Sequence, residues 1–206
     1  SFIEQRAGSR YKNTSLILLF ESSRGCWWGI RHHCSFCGIR SVDDPYRIRP
    51  PQETVRLVTD LAQAYRPDML YATDPIVPIP YEDDVWAELA HARNQGLQLA
   101  LFYEVKTNHP RRVIARLACA GVSCVQPGIE SFSTHVLRLM KKGATALQQA
   151  SFLKWASAYG LQVNYGLILG TPGETATDLQ EMAELIPFLH HFPPPAALNR
   201  LALHRF

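Results

Sequence analysis

Three cysteines, Cys26, Cys34 and Cys37, fall within one stretch, Arg24-Gly25-Cys26-Trp27-Trp28-Gly29-Ile30-Arg31-His32-His33-Cys34-Ser35-Phe36-Cys37-Gly38. Seven residues separate the first two and two separate the last pair. A C-x-x-C pair brings two soft thiolates to one metal or cluster, and the third arrives from the start of the same loop. Three thiolates suit iron–sulfur iron or zinc and suit hard cations badly. Such a set leaves one coordination position open. Structural sites are usually closed by four protein ligands, whereas an open position usually means chemistry. The loop alone admits two other readings. His32 or His33 would complete a zinc site of three cysteines and one histidine. Two cysteines would form a disulfide and leave a free thiol, although nothing else in the chain looks secreted.

The chain that must position this loop has 206 residues, 47% of them hydrophobic, enough for one domain with a sizeable core. A net charge of +3 is only mildly basic, and no run of like charges points to a nucleic-acid partner. Arg6, Arg10, Arg24, Arg31, Arg40, Arg47 and Arg49 crowd the first fifty residues. They read as a solvated basic face or as a surface for an anionic ligand or acidic partner. Cys119 and Cys124 flank an apolar turn and are expected as buried thiols, which fits a reducing cytoplasm. The apolar run Leu16–Phe20 is too short to cross a bilayer, and no signal-peptide pattern follows Ser1. No membrane association is expected. Residues 1–15 read as a remnant of an upstream linker or domain.

Thr14–Glu21 reads as a buried strand running straight into the cysteine loop, residues 24–40. Ser41–Pro51 is a charged connector. Pro50 and Pro51 then open a helix through about Tyr65, with Val55, Val58, Leu61, Ala62 and Tyr65 on one face. Asp68–Thr73 is a short strand, and Ile76–Pro80 a proline-rich loop. The next helix carries Glu82, Asp83 and Asp84 in its first turn, with an apolar face of Val85, Trp86, Leu89 and Ala92. Then helix, glycine and strand recur. Gly96 precedes the strand Leu97–Tyr103. The helix Pro110–Ala120 ends at Gly121 before Val122–Gln126. The helix Thr145–Tyr159 ends at Gly160 before Leu161–Leu169. A left-handed glycine turning each helix into a strand explains the pattern. A helix from Thr175 past Ile186 opens on a Thr175-x-x-Asp178 capping box, and Pro187 should kink or end it. Ala197–Phe206 is the last strand.

Six strands alternating with helices imply a parallel sheet with right-handed crossovers. An open doubly wound sheet and a partial barrel both satisfy the pattern. In either, ligands sit at the C-terminal ends of the strands. Polar residues gather there: Thr73-Asp74, Glu104-Val105-Lys106, Gln126-Pro127-Gly128-Ile129-Glu130-Ser131 and Gly170-Thr171-Pro172-Gly173-Glu174.

A three-cysteine loop after the first strand of such a chain resembles the radical S-adenosylmethionine (SAM) enzymes. The C-x2-C half matches the family's usual C-x3-C-x2-C spacing, and the first half is longer. Gly166-Leu167-Ile168-Leu169-Gly170-Thr171-Pro172-Gly173-Glu174 looks like the family's G-x-I-x-G-x-x-G-E segment. Cys26-Trp27-Trp28-Gly29, His33-Cys34, Phe36-Cys37-Gly38, Phe102-Tyr103-Glu104-Val105-Lys106, Gln126–Ser131 and Leu137-Arg138-Leu139-Met140-Lys141-Lys142-Gly143 resemble one subgroup. It comprises the radical SAM proteins of ribosomal natural-product (RiPP, bacteriocin-type) maturation, which often carry a cobalamin-binding domain.

The resemblance implies an α/β partial (β/α)6 TIM-like barrel of parallel strands, spanning 1–206 as one radical SAM core domain truncated after strand six. It implies a [4Fe–4S] cluster on Cys26, Cys34 and Cys37, with SAM on its fourth iron, and possible cobalamin from a domain outside this chain. Phe36 and Gly38 would lie against SAM, Asp74 would meet its amine, and Glu130 and Ser131 its ribose or amino-acid part. Arg138 or Lys141 would pair with its carboxylate. Ile168 and Gly170 would lie along the adenine. Glu104 and Lys106 would face SAM or substrate. Trp27, Trp28, His32 and His33 would shield the cluster or bind cobalamin or peptide. The implied activity is reductive cleavage of SAM to modify a ribosomal precursor peptide, first of all cobalamin-dependent C-methylation. Radical cross-linking, epimerisation or oxidation, and a non-catalytic zinc module of three cysteines and one histidine, are the alternatives. An electron donor such as flavodoxin or ferredoxin would be the protein partner, in the cytoplasm.

Overall fold

The computed structural model describes residues 2–10, 12–39 and 45–202. Arg40 of the cysteine loop, the first residues of the Ser41–Pro51 connector and residues 203–206 of the expected last strand lie outside the described residues. The elements run α1 (Phe2–Ala7), β1 (Ile17–Phe20), β2 (Ser23–Arg24), α2 (Trp27–Arg31), β3 (Arg47–Ile48), α3 (Pro51–Tyr65) and β4 (Met69–Ala72). A 3-10 turn (Ile79–Glu82) leads to α4 (Val85–Asn94), β5 (Leu101–Val105), α5 (Arg111–Cys119), β6 (Val122–Pro127), α6 (Thr134–Leu139) and α7 (Ala146–Ala158). The chain closes with β7 (Gln162–Val163), β8 (Gly166–Leu169), α8 (Ala176–Leu189) and β9 (Ala197–Arg200).

The order β1-β4-β5-β6-β7 forms a five-stranded sheet in which every neighbour is parallel. β8 and β9 pair in parallel as a separate two-stranded sheet. The strands thus follow chain order, as a partial (β/α) barrel requires. The expected fifth strand, Leu161–Leu169, is broken. Asn164 still donates to Val125 O at 3.0 Å, and Ile168 then donates to Glu130 O at 2.9 Å. Between them Tyr165 leaves the sheet to meet Phe132 edge-on, at 6.3 Å between centroids. Packing decides this break. A large core of β4, β5 and β6 lies under α3, α4, α5 and α7, whereas Ile129, Phe132, Leu153 and Tyr165 form a second, smaller core.

Each helix–glycine–strand junction has the expected geometry, with φ of +99° at Gly96, +98° at Gly121 and +72° at Gly160. At the first of these, Gly96 N–H bonds Arg93 O and Leu97 N–H bonds Ala92 O. Those donors are committed to closing α4, so β5 begins at Leu101 rather than Leu97. The capping box of Thr175 and Asp178 is complete. Pro187 does not end α8, which continues to Leu189. A proline in the last turn removes only one backbone donor.

The reading of the first strand as buried needs correction. β1 is not buried on both faces, since Ile17 is 51% and Leu19 68% exposed. β1 is the edge of the sheet, and only Leu18 and Phe20 turn toward the helices. Ser23 and Arg24 pair antiparallel with Ile48 and Arg47, which ties the start of the cysteine loop to the connector that follows it. Residues 1–15, which show no sequence period, include the short helix α1. Cys119 is exposed rather than buried, and Cys124 is half-buried. Among the described residues no helix is long and apolar enough to cross a membrane.

Candidate functional site

β1 delivers the chain to Ser22 and Ser23, both buried. Asp74, just beyond β4, receives them. Its carboxylate accepts from Ser22 N–H at 2.7 Å, from Ser22 Oγ and from Ser23 Oγ at 3.0 Å. Tyr103 OH lies 3.1 Å from Ser22 Oγ, and Tyr81 OH reaches Ser22 O at 3.0 Å and Arg49 O at 2.8 Å. Burial pushes the Asp74 carboxyl up, and the serine hydrogen bonds pull it back. Asp74 is 1% exposed, so its carboxylate holds the base of the cysteine loop from behind and does not line the cavity in front of it.

From this base the loop turns into α2. Cys26 is the N-cap of α2, its Sγ accepting from Gly29 N–H at 3.4 Å. Cys34 and Cys37 follow in a tight turn, with Cys37 N–H on Cys34 O at 3.1 Å. All three are half-buried, and no disulfide joins them. They line one wall of a cavity of about 440 Å³ at the C-terminal ends of the strands, together with Phe36. Glu104 and Lys106 come to it from the end of β5, and Gln126, Gly128 and Glu130 from the end of β6. Lys142 enters from the turn after α6, and Asn164, Tyr165, Gly166 and Asn199 complete the far side.

The cavity is electrically structured. Lys142 Nζ bonds Glu130 Oε1 at 2.9 Å, with both side chains largely withdrawn from solvent. Burial lowers the Lys106 ammonium to about 8, helped by Lys142, while Cys34 and Cys26 act the other way. Burial raises the Cys34 thiol, and Lys142 and Lys106 oppose that rise. Two cations therefore stand where thiolate charge would develop. Burial also raises Glu104 to about 7, against Lys142 and reinforced by Glu130. The sign of its effect on stability follows. The folded state holds this proton more tightly than the unfolded chain, whose carboxyl titrates near 4.5. The metal-free protein will lose stability as pH rises from 4.5 through about 7, and Glu104→Gln will flatten that part of the profile, measured as urea midpoints.

Of the residues singled out in the sequence, the cavity gathers Cys26, Trp28, Cys34, Phe36, Cys37, Glu104, Lys106 and Glu130. Gly38, Ser131, Arg138, Lys141, Ile168 and Gly170 do not line it. Ser131 is buried, its Oγ bonded to Met182 Sδ at 3.1 Å and accepting Ser133 N–H at 3.0 Å. Arg138 lies exposed on α6. Gly170 makes a turn at φ +82°, its N–H taken by the Glu174 carboxylate. Lys142 lines the cavity instead of its neighbour Lys141, which adopts φ +54° and points outward. A left-handed residue reverses the chain there, and the only sequence signal was the Lys-Lys-Gly string itself.

Among the described residues no three Cys, His, Asp or Glu side chains close around a single metal ion. A cubic [4Fe–4S] cluster takes its thiolates on separate irons, so its cysteines stand farther apart than ligands of one ion. Three soft donors on one wall, with Lys106 and Lys142 lining the same cavity, suit such a cluster better than a closed zinc site.

The sequence profile of the Radical SAM superfamily matches residues 20–186. An uncharacterized protein of Methanopyrus kandleri is 28% identical over 168 residues, covering 73% of this chain and 31% of that protein. The ribosomal protein uS12 methylthiotransferase RimO of Flavobacterium johnsoniae is 24% identical over 168 residues, covering 77% and 38%. The chain thus spans about a third of the length of these curated relatives. Among solved structures, the radical SAM methyltransferase TsrM of Kitasatospora setae, with cobalamin and a [4Fe–4S] cluster bound, superposes with a TM-score of 0.74. It is 19% identical, covering 94% of this chain and 38% of that one. The cobalamin-dependent SAM radical enzyme OxsB, with aqua-cobalamin bound, gives a TM-score of 0.68 at 19% identity, covering 86% and 27%.

Proposed function

The chain belongs to the radical SAM superfamily, and on that premise we propose that it cleaves SAM reductively to methylate carbon in a ribosomally made precursor peptide, with cobalamin as methyl carrier. The observation that carries the reading is the single cavity on which Cys26, Cys34 and Cys37 meet the charged strand ends. Cys26, Cys34 and Cys37 would hold the [4Fe–4S] cluster. When bound and reduced, the cluster supplies the electron that breaks a carbon–sulfur bond of SAM and opens radical chemistry at an unactivated carbon.

The remaining work belongs to the chain's own side chains. Phe36, between two of the cysteines, offers an apolar face to SAM. Glu130, fixed by Lys142, and Glu104 present carboxylates to the SAM amine and ribose hydroxyls or to the substrate. Lys106 and Lys142 offset negative charge at the thiolates and at the SAM carboxylate. The walls of β5, β6 and the cysteine loop limit water around the reacting atoms. The far side, between β7 and β9, is where peptide and cobalamin would enter. Support for the peptide is the subgroup resemblance of the Cys26–Gly38 stretch, and support for cobalamin is the likeness of fold to TsrM and OxsB. A redox protein such as flavodoxin or ferredoxin would supply the electron in a cytoplasmic setting.

A second reading, methylthio transfer, is favoured by the match to RimO. The experiment is anaerobic reconstitution followed by incubation with reductant, SAM, cobalamin and the precursor peptide. Release of 5′-deoxyadenosine and a deuterated methyl group passing from SAM to peptide carbon are the expected results. A product heavier by a methylthio group moves the assignment to the second reading. Loss of two hydrogens without methyl label indicates cross-linking or oxidation. Stoichiometric zinc with no SAM cleavage overturns both readings.

A further inference from the structure

The seven residues between Cys26 and Cys34 need a reason to adopt one conformation, because a longer loop has more entropy to lose. The reason lies at the end of α6. The last carbonyls of a helix have no partner inside it. Here Val136 O, Leu137 O and Arg138 O are taken by the chain that follows, and the next four carbonyls, Leu139 O at the end of α6 through Lys142 O in the turn beyond it, are taken from other parts of the chain. Ser35 Oγ donates to Leu139 O at 3.2 Å, and Ser35 N–H to Met140 O at 3.0 Å. Trp28 Nε1 donates to Lys141 O at 3.1 Å, and Lys106 Nζ to Lys142 O at 2.6 Å. The Lys106 ammonium also sits 3.8 Å from the centre of the Trp28 ring. Gly143, at φ +67°, leaves room for that ring, since a Cβ there would run into its six-membered edge.

We propose that Trp28 is the positioning residue of the cysteine loop, its indole clasped between Lys106 and the Lys141–Gly143 turn so that Cys26 and Cys34 are held on the cavity wall. This deepens the proposed function and rests on the reading of these cysteines as cluster ligands. The indole contributes two separable things, an N–H for Lys141 O and a ring face for Lys106. Phenylalanine keeps the face and loses the donor, and alanine loses both. Gly143→Ala displaces the ring without changing Trp28.

The test compares wild type, Trp28→Phe, Trp28→Ala and Gly143→Ala, with thermal unfolding to establish that each is folded. Two readouts are used: iron and sulfide content with the electron paramagnetic resonance spectrum after reconstitution, and the alkylation rates of Cys26 and Cys34 in metal-free protein. Trp28→Ala and Gly143→Ala should lose most of the cluster, shift its spectrum and label several-fold faster, while Trp28→Phe recovers most of the loading. Wild-type loading, spectrum and labelling in folded Trp28→Ala and Gly143→Ala overturn the proposal. If Trp28→Ala does not fold, Gly143→Ala and Trp28→Phe decide by the same criteria. If wild type itself takes no cluster, the functional reading fails, and the alkylation rates still decide the positioning role.

Discussion

Cys34→Ala will abolish cluster loading. Iron and sulfide, each approaching about four per chain in wild type after anaerobic reconstitution, should fall to a small fraction of that. Cys34 is the proposed ligand on which the cavity's charges converge, with Lys142 and Lys106 the cations acting on its thiol. Removing it leaves Cys26 at the cap of α2 and Cys37 beyond the turn, two thiolates for a cube that needs three. The histidines are not expected to substitute, because neither lines the cavity and the His32 ring is stacked on Trp28 at 4.1 Å. Cys119→Ala, at an exposed thiol away from the cavity, should load fully and serves as the control. Full loading of Cys34→Ala, or stoichiometric zinc without sulfide in wild type, overturns the ligand assignment.

The second large effect is on stability. Trp86→Ala should cost about 3–5 kcal/mol, as expected for removing a fully buried indole. Trp86 is 1% exposed and meets Tyr81 at 6.1 Å and Tyr103 at 5.4 Å, both edge-on. Those two tyrosines carry the hydroxyls that bond Ser22, so the cavity left by the indole undermines the base of the cysteine loop. Urea unfolding should show a lower midpoint with little change in slope. Cluster retention should fall at temperatures where the variant is still folded. Ile79→Ala, at an exposed side chain, should change the midpoint little. A Trp86→Ala midpoint within error of wild type contradicts the packing around the indole.

Much of the architecture was legible because it depends on local chemistry. Gly96, Gly121 and Gly160 occupy left-handed positions that only glycine takes readily, so they mark the helix-to-strand junctions directly. Thr175 with Asp178, and the C-x2-C pair, are equally local signals. What failed to show depends on tertiary direction. Asp74 sits at a strand end as expected, but the serines after β1 capture its carboxylate first. Lys141 and Lys142 are indistinguishable as letters, and a single positive φ decides which enters the cavity. The break at Asn164-Tyr165 is set by Phe132, distant in sequence, and no periodicity within Leu161–Leu169 encodes it. The β2–β3 tie is made by two residues on each side, too short for any pattern to reveal.

That break in the fifth strand also divides the molecule thermodynamically. β9 is exposed along its whole length, and α8 buries only Asp178 among the described side chains. The β8–α8–β9 segment is therefore held by far less apolar burial than the sheet that carries Glu104 and Glu130. Local opening free energy scales with such burial, so this segment should unfold on its own well below the global limit. Amide exchange in β8 and β9 should run ahead of exchange in β5 and β6, and equal protection in all four strands would contradict it. On that expectation the wall of the cavity opposite the cysteines would act as a door, with the break at Asn164-Tyr165 at its edge. A bulky substrate could be admitted by partial unfolding of one side, while the thiol wall, tied through β2–β3 and α6, keeps its shape.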